Sequence, residues 1–296
     1  MSVARNTLVQ SSLTLASRVL GMVRDILLVA TIGAGPVGDA WATAQQFPNL
    51  FRRIFAEGAF ASAFVPTYAR TLEAEGPEAA RAVAQEAMRV LFAATAALTI
   101  LAQIFMPWVL LLIHGGQADD PEHYNLAVLL TRVTMPYLTF MALAALLSGV
   151  LNSSERFILS AGVPTLLNLC LIPAALISDD PVTTAKAASI AYFIAGVLQA
   201  GALWWGVSRQ KVHLSLLGLP RLTPAVKKVM MLALPGTFAA SGTQINIIVS
   251  QSLASFEVGA KSWLYAADRL YQLPLGLVGV AVGVAILPRL SRAARA

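Results

Sequence analysis

Charged residues are scarce in this sequence, and cysteine and histidine are rarer still. Only 12% of the 296 residues are Asp, Glu, Lys or Arg, whereas a soluble domain usually contains about 25%. The single cysteine, Cys170, excludes a disulfide framework. The three histidines, His114, His123 and His213, do not have the spacing of metal ligands. The composition therefore argues against a soluble domain, and it predicts neither a metal site nor a cofactor.

Hydrophobic residues, by contrast, make up 57% of the chain, and the mean hydropathy is +0.70. They gather in stretches near or above the roughly 20 residues that a helix needs to cross a bilayer. Backbone groups in lipid must be hydrogen-bonded within their own segment, so each stretch is predicted to be a helix. The sequence thus predicts an all-α integral membrane protein with about eight transmembrane helices. The eight apolar stretches are 11–33, 39–68, 84–113, 124–151, 157–178, 186–207, 225–253 and 259–288.

The basic residues between these stretches predict the orientation of the chain. With the N-terminus inside, the outer side receives only Lys186 and Lys261. Basic residues concentrate on the cytoplasmic side of membrane proteins, so the N-terminus is predicted to be cytoplasmic, and its first helix is predicted to stay in the membrane. The basic residues on the predicted inner side are Arg5, Arg70, Arg81, Arg156, Arg209, Lys211, Arg221, Lys227, Lys228, Arg289, Arg292 and Arg295.

A weak internal repeat predicts where the chain divides. Residues 41–70 align without gaps with residues 263–292, and both begin with Trp and end with Pro-x-x-x-Arg. Parallel repeats of this kind are common in transporters, whose substrate site lies between the repeats. The basic, proline-containing connection at 208–224 would separate them. We therefore predict an N-terminal six-helix lobe at 1–215 and the first two helices of a second, incomplete lobe at 216–296.

Charged residues interrupt the first apolar stretch. Arg18, Arg24 and Asp25 lie in SRVLGMVRD, together with Ser17 and Gly21. On a helix, Arg18 and Asp25 point within about 20° of each other and lie about 10 Å apart along the axis, with Gly21 between them. A charge near the bilayer centre costs about 2.5–3.5 kcal/mol, so such groups face a partner or an aqueous cavity. One face of this helix is predicted to be polar and cationic.

Two other stretches add charges at membrane depth. Asn49, Arg52 and Glu57 lie in FPNLFRRIFAEGAF, and Asp268 with Arg269 lies in the last stretch. If these helices face the first, four arginines would line one cavity with fewer carboxylates to balance them. Guanidinium groups bind phosphate with two parallel hydrogen bonds, so the sequence predicts a phosphate or pyrophosphate site.

Other interpretations of the polar residues remain open. The buried charges could be structural ion pairs, and Asp39 could be a helix cap rather than a site residue. An exporter of drugs or polysaccharides with the same architecture would more often use a lone acidic residue for cation coupling than a cluster of arginines. An integral-membrane glycosyl- or phosphotransferase would need metal-binding carboxylates on the inner side. That side offers Glu73, Glu75, Glu78 and Glu155 without such spacing, so the protein is predicted not to be an enzyme.

Three segments resemble one family. SRVLGMVRD (17–25), FPNLFRRIFAEGAFASAFVP (47–66) and ADRLYQLPLGLVGVAVGVAILP (267–288) are similar to the lipid II flippases, the MurJ or MviN family of the multidrug/oligosaccharidyl-lipid/polysaccharide exporter superfamily. The resemblance implies two six-helix lobes around a V-shaped cavity, followed by two further helices. It also implies alternating access that moves undecaprenyl-pyrophosphate-linked disaccharide-pentapeptide from the cytoplasmic to the periplasmic leaflet.

The resemblance also implies roles, partners and a location. Lipid II and membrane lipids would be the partners, with cell-wall synthesis proteins besides and no nucleic acid, in the cell inner membrane. A full-length protein would be a monomer. This chain ends after the eighth predicted helix and is expected to be a truncation or fragment. The predicted substrate-binding residues are Arg18, Arg24, Arg52, Arg269, Asn49 and Ser17, and the predicted supporting or gating residues are Asp25, Asp39 (near the outer gate), Glu57, Asp268 and Gly21.

Overall fold

The structure is a computed structural model that describes residues 3–55, 59–154 and 156–271. Side chains are described within these ranges except at 3–11, 50–55, 59, 61, 237–241 and 243. A 3₁₀ turn covers Gly115–Gln117, and residues 260–271, called α11 below, are helical. The other helices are α1 (Val3–Ile32), α2 (Pro36–Phe55), α3 (Ala59–Glu75), α4 (Pro77–His114), α5 (Pro121–Thr134), α6 (Tyr137–Ser153), α7 (Phe157–Gly162), α8 (Pro164–Ala175), α9 (Pro181–Ser208) and α10 (Pro224–Ala254).

These elements confirm the predicted all-α membrane architecture. Each of the eight apolar stretches corresponds to one or two helices in the part of the chain that the structure describes. Two stretches are divided at a proline, Pro136 between α5 and α6 and Pro164 at the start of α8. A proline lacks a backbone N–H and disfavours a helical conformation in the residue before it. Pro173 and Pro235 remain inside helices.

Four of the described helical stretches are long and apolar enough to cross a membrane: Pro77–Gln117, Pro121–Ser153, Phe157–Ala175 and Pro181–Ser208. None of these stretches contains a residue of the predicted site. The predicted site lies instead on helices with more polar residues, such as α1, which has three charged residues between positions 18 and 25. Polar helices in a membrane bundle face its interior, and this arrangement agrees with a polar site between helices.

Side-chain caps begin three of the helices. Asp120 accepts a hydrogen bond from the backbone of His123, Asp180 accepts one from Thr183, and Thr223 accepts one from Val226. A proline follows each cap, where its missing N–H would be unpaired in any case. Hydrogen bonds from the side chains of His123 and Thr183 lower the pKa of the Asp120 and Asp180 carboxyls.

Two hydrophobic clusters form the core. The first joins α3, α4, α6, α9 and the start of α10, with Phe64 and Met88 fully buried in it. The second joins α1, α2, α5, α6, α8 and α9. In this second cluster the ring of Tyr192 makes edge contacts with Tyr137 and Trp41, at centroid distances of 4.6 and 6.3 Å. The second cluster thus fixes α1 and α2, the helices that carry most of the predicted site.

A close approach of α6 and α9 depends on a glycine. A Cβ atom at Gly196 would lie 2.8 Å from Cδ2 of Tyr137, whereas a Cβ at Gly201, on the same helix, would meet nothing within 4 Å. Gly196→Ala is therefore expected to destabilise the protein by about 1–3 kcal/mol, because added volume strains a packed core. The measurement is the thermal unfolding midpoint in detergent, with Gly201→Ala as control. Equal midpoints for the two variants would show that α6 and α9 can move apart freely.

Candidate functional site

Two adjacent residues of α1 form a buried ion pair. Arg24 and Asp25 are only 8% and 6% exposed. Nη2 of Arg24 lies 2.7 Å from Oδ1 of Asp25, and Nε of Arg24 donates to the same oxygen at 2.9 Å. Nη1 of Arg24 donates to Oδ1 of Asn168 on α8 at 2.9 Å, and Nδ2 of Asn168 donates to the backbone oxygen of Ser17 at 2.8 Å. All three guanidinium nitrogens of Arg24 are therefore hydrogen-bonded, two to Asp25 and one to Asn168.

Helix α11 brings a second arginine to the same carboxylate. Nε of Arg269 lies 3.3 Å from Oδ2 of Asp25, and the guanidinium carbon of Arg269 lies 4.9 Å from the ring centre of Tyr265. The hydroxyl of Tyr265 donates to Oδ1 of Asp25 at 2.8 Å and lies 3.2 Å from Oε1 of Gln45 on α2. Helices α1, α2, α8 and α11 thus meet at this point. Arg24, Asp25, Asn168, Tyr265 and Arg269 are called the cationic cluster below.

Two guanidinium groups of the cationic cluster share one carboxylate. Arg24 and Arg269 both contact Asp25, which supplies one negative charge for two positive charges. Burying an ion pair removes its members from water, and the cost is recovered only when both charges are matched and hydrogen-bonded. A site with two guanidinium groups around one carboxylate is suited to an anion that replaces or joins that carboxylate.

The other predicted residues of α1 lie around the cluster. Gly21 faces Asn168 of α8, and a Cβ atom at this position would lie 3.6 Å from Oδ1 of Asn168, an ordinary contact distance. Ser17 is half-buried and accepts the hydrogen bond from Asn168 through its backbone oxygen. Arg18 is exposed, about one and a half turns from Arg24. The structure therefore brings Arg24, Asp25 and Arg269 together and leaves Arg18 at the edge.

The predicted residues of α2 and α11 have mixed positions. Asn49 accepts a hydrogen bond from the hydroxyl of Tyr192 at 3.3 Å, and Asp268 is exposed. Arg52 lies within α2, but its side chain is outside the described residues, as is the whole of Glu57. The predicted roles of Arg52 and Glu57 therefore stay predictions.

Asp39 joins the first helices to the last ones. Its carboxylate is fully buried, although Asp39 lies in the first turn of α2. Oδ1 accepts hydrogen bonds from the backbone N–H and hydroxyl of Ser262, at 2.8 and 2.7 Å. Oδ2 accepts from the backbone of Gly259 at 2.7 Å and from Nε2 of Gln117 at 2.8 Å. All four bonds reach one carboxylate, so Asp39 caps the start of α11 from a different helix.

A neighbouring set of contacts extends this junction. The backbone N–H of Gly116 donates to the hydroxyl of Ser255 at 3.0 Å. Nζ of Lys261 donates to the hydroxyl of Thr43, the backbone oxygen of Ile113 and Nδ1 of His114. We call these contacts and those of Asp39 the outer closure, because the sequence predicts that this end of the bundle faces outside.

The sequence did not assign a role to either Lys261 or His114. Lys261, which the sequence places on the outer side, lies in α11 and is fully buried. His114 ends α4 and is also fully buried. Helices α4 and α11 each bring one polar residue into a contact between distant parts of the chain, and local hydropathy cannot predict such a contact.

A cavity of about 190 Å³ lies between α1, α2 and α11. Its lining reaches from Tyr265 of the cationic cluster to Ser262 of the outer closure, and it includes Leu28, Gly38 and Trp41. The two polar sites are therefore separated by a mainly apolar space. Such a space can keep water out while the outer closure is formed.

Sequence reasoning missed several members of both sites. Asn168 and Tyr265 are neutral polar residues in apolar stretches, and such residues have no distinctive sequence pattern. A signal was available for Lys261, since a lysine near the start of an apolar stretch is costly without partners. Asp39 was assigned near the outer gate through the resemblance, and the structure brings it into the outer closure.

The fold and the two sites define a class. A membrane-embedded bundle with buried charges between its first and last described helices, closed at one end by polar contacts, has the architecture of a membrane transporter. The family profile described as "Lipid II flippase MurJ" matches residues 28–296. The chain therefore belongs to the lipid II flippase MurJ family, which confirms the predicted resemblance.

Individual relatives agree. The chain is 43% identical to a probable lipid II flippase MurJ of Rhizobium tropici, over 99% of this chain and 56% of the relative. It is 38% identical to the lipid II flippase MurJ of Burkholderia cenocepacia, over 99% of this chain and 58% of the relative. A solved structure of lipid II flippase MurJ in an inward closed conformation superposes with a TM-score of 0.80 at 27% identity, covering 96% of this chain and 59% of that one. The chain thus spans little more than half the length of these relatives.

Proposed function

We propose that the protein takes part in flipping lipid II, the undecaprenyl-pyrophosphate-linked disaccharide-pentapeptide, from the cytoplasmic to the periplasmic leaflet. The relatives are named for this activity. A large polar headgroup cannot cross hydrocarbon unaided, and a cationic cluster between helices would replace part of its hydration. The chain would bind and transport its substrate without catalysing a chemical reaction.

The observation that carries the proposal is the sharing of Asp25 by Arg24 and Arg269. A diphosphate offers several oxygens to guanidinium groups, which bind it through paired hydrogen bonds. On binding, the diphosphate would draw Arg269 from Asp25 while Arg24 stays positioned by Asn168. The exposed Arg18 would meet the headgroup before it reaches the cluster, and Arg52 would complete the cationic wall.

The other members of the site would hold or release the substrate indirectly. Asp25 and Asp268 would balance the arginines, Ser17 and Gly21 would keep α1 close to α8, and Asn49 would support α2. Asp39 would keep the outer closure formed while the substrate enters from inside. An exporter of another lipid-linked polysaccharide or of drugs would need none of these diphosphate contacts, and no contact of the described residues favours that alternative.

The proposed topology follows from the charge distribution. Residues 1–215 would form a six-helix lobe, and residues 216–296 would begin a second lobe of the same plan. The N-terminus would be cytoplasmic and the protein would lie in the cell inner membrane, since its basic residues concentrate on one predicted side. Lipid II and membrane lipids would be its partners, together with cell-wall synthesis proteins.

The test is the retention of lipid II by the purified chain, measured by native mass spectrometry against phosphatidylglycerol. The unaltered chain is expected to retain lipid II. Arg24→Ala and Arg269→Ala are each expected to weaken binding about 10- to 100-fold, because each removes charge-assisted hydrogen bonds of about 1.5–3 kcal/mol. The same substitutions in the parent gene should fail to support growth of cells depleted of their own flippase.

Arg132→Ala is the matched control, since Nε of Arg132 donates to the backbone oxygen of Gln103, in a contact between α4 and α5. This variant should bind lipid II as the unaltered chain does. Equal binding of lipid II and phosphatidylglycerol, or undiminished binding by Arg24→Ala and Arg269→Ala, would contradict the proposed function.

A further inference from the structure

The ammonium group of Lys261 lies in a cage of three acceptors that the flipping proposal does not use. Nζ lies 2.8 Å from the hydroxyl oxygen of Thr43, 2.5 Å from the backbone oxygen of Ile113 and 3.0 Å from Nδ1 of His114. An ammonium group has three N–H donors and no acceptor, so each donor has one partner. The side chain is fully buried, and the cage is complete only when Lys261 is protonated.

This cage fixes the protonation of His114. Because Lys261 can only donate, Nδ1 of His114 must be an unprotonated acceptor, and the ring proton lies on Nε2. Nε2 is buried and has no hydrogen-bond partner among the described residues. The imidazole is also stacked on the ring of Tyr124, with centroids 6.2 Å apart. The closed arrangement therefore accommodates one proton on Lys261 and a neutral His114.

A second proton destabilises this arrangement. A protonated Nδ1 would have only Oγ1 of Thr43 as an acceptor, 3.2 Å away, and that oxygen already accepts from Nζ of Lys261. It would also place two positive charges 3.0 Å apart. Two like charges at this distance in a buried site repel strongly. Separation of α11 from α2 and α4 would relieve the repulsion and would let both groups be hydrated.

We propose that His114 and Lys261 form a proton-binding site that controls the outer closure. With one proton the site holds α11 against α2 and α4. A second proton, taken from outer water by Nδ1 of His114, breaks the cage and opens the closure, and it returns to outer water before the closure forms again. Because only the open state binds the second proton, acid favours opening.

The surroundings of the site are consistent with this assignment. Asp39 is the carboxylate that interacts electrostatically with both Lys261 and His114, and Tyr124 is the other titratable group packed against the imidazole. Glu257 lies between α10 and α11, but it is exposed. In the register that pairs Trp41 with Trp263, Asp39 pairs with Lys261, so the two halves place opposite charges at equivalent positions. The proposal depends on the closure alone and not on the identity of the substrate.

The experiment measures the closure directly. Spin labels are placed on the exposed positions 119 and 257 through Asp119→Cys and Glu257→Cys, with the native Cys170 changed to Ser. The distance distribution between the labels is recorded in lipid nanodiscs from about pH 8 to about pH 5, where histidine titrates in water. We expect a second, longer distance whose population grows by up to about tenfold per pH unit, the limit for one linked proton.

Two variants assign the response. His114→Asn and His114→Gln keep an oxygen that can accept from Lys261 but cannot take a second proton, and both should stay closed down to about pH 5. His123→Asn, at the half-buried histidine on the same predicted side, should open as the parent does. A closure that does not respond to acid, or one that still opens in both His114 variants, would overturn the proposal. The short distance at about pH 8 verifies that each variant is folded.

Discussion

Asp25→Asn is expected to abolish the link between α1 and α11. The substitution keeps the shape of the side chain but leaves the buried Arg24 and the partly buried Arg269 without their shared carboxylate. Removing one partner of a buried ion pair typically costs about 3–5 kcal/mol, because the remaining charge is uncompensated. We therefore expect a large fall in the thermal unfolding midpoint in detergent, and loss of growth when the parent gene carries the substitution.

Glu78→Gln is the matched control for this result. It breaks an ion pair with Arg81 at the start of α4, where Nη2 lies 3.2 Å from the carboxylate and the glutamate side chain is 87% exposed. Exposed pairs contribute little to stability, so its midpoint should be close to that of the parent protein. If Asp25→Asn were as stable as Glu78→Gln, another group would have to balance the charges of the two arginines. The definition of the cationic cluster around Asp25 would then be wrong.

Asp39→Asn is expected to open the outer closure at every pH. The carboxylate accepts four hydrogen bonds, and an amide would turn an NH₂ group toward two of those donors. Each hydrogen bond to a buried charged group contributes about 1.5–3 kcal/mol, so losing two should shift the equilibrium toward the open state by at least about a hundredfold. The spin labels at positions 119 and 257 should report the longer distance even near pH 8.

Asp120→Asn provides the comparison, since Asp120 caps α5 at the same predicted side but is exposed, and its carboxylate contacts His123 of its own helix. It should leave the label distance unchanged. The Asp39 and His114 experiments test different properties. Asp39→Asn tests how strongly the closure is held, whereas the His114 variants test whether acid opens it. A closed distance in Asp39→Asn would mean that the contacts of Lys261 and Ser255 suffice.

The sequence predicted most of the helices and part of the cationic cluster. Apolar length predicted the helices, and the high cost of charges in lipid singled out Arg24, Asp25 and Arg269, which the structure brings together. Pro136 and Pro164 divide two stretches that apolar length alone predicted to be single helices. These features are local, and each depends on the composition of one segment.

The outer closure was beyond local reasoning. The outer closure joins Asp39 to Gln117 and to the segment that contains Gly259 and Ser262, which are far apart along the chain. These three partners are uncharged, and two of them donate from the backbone. Periodicity cannot show which helix caps another helix. Helical geometry places Arg18 on the same face as Asp25, but its side chain is exposed and lies outside the buried cluster, so its predicted role stays a prediction.

The arrangement of donors around Asp39 has one more consequence. Gln117 belongs to the same predicted lobe as Asp39, whereas Gly259 and Ser262 belong to the predicted second lobe. If the helices separate at this end, three of the four donors move away together, and the carboxylate of Asp39 is left with only one hydrogen bond at the outer end. In the proposed function, this carboxylate would repel a diphosphate that has left. The group that closes the outer end while substrate enters from inside would then also oppose the return of the substrate.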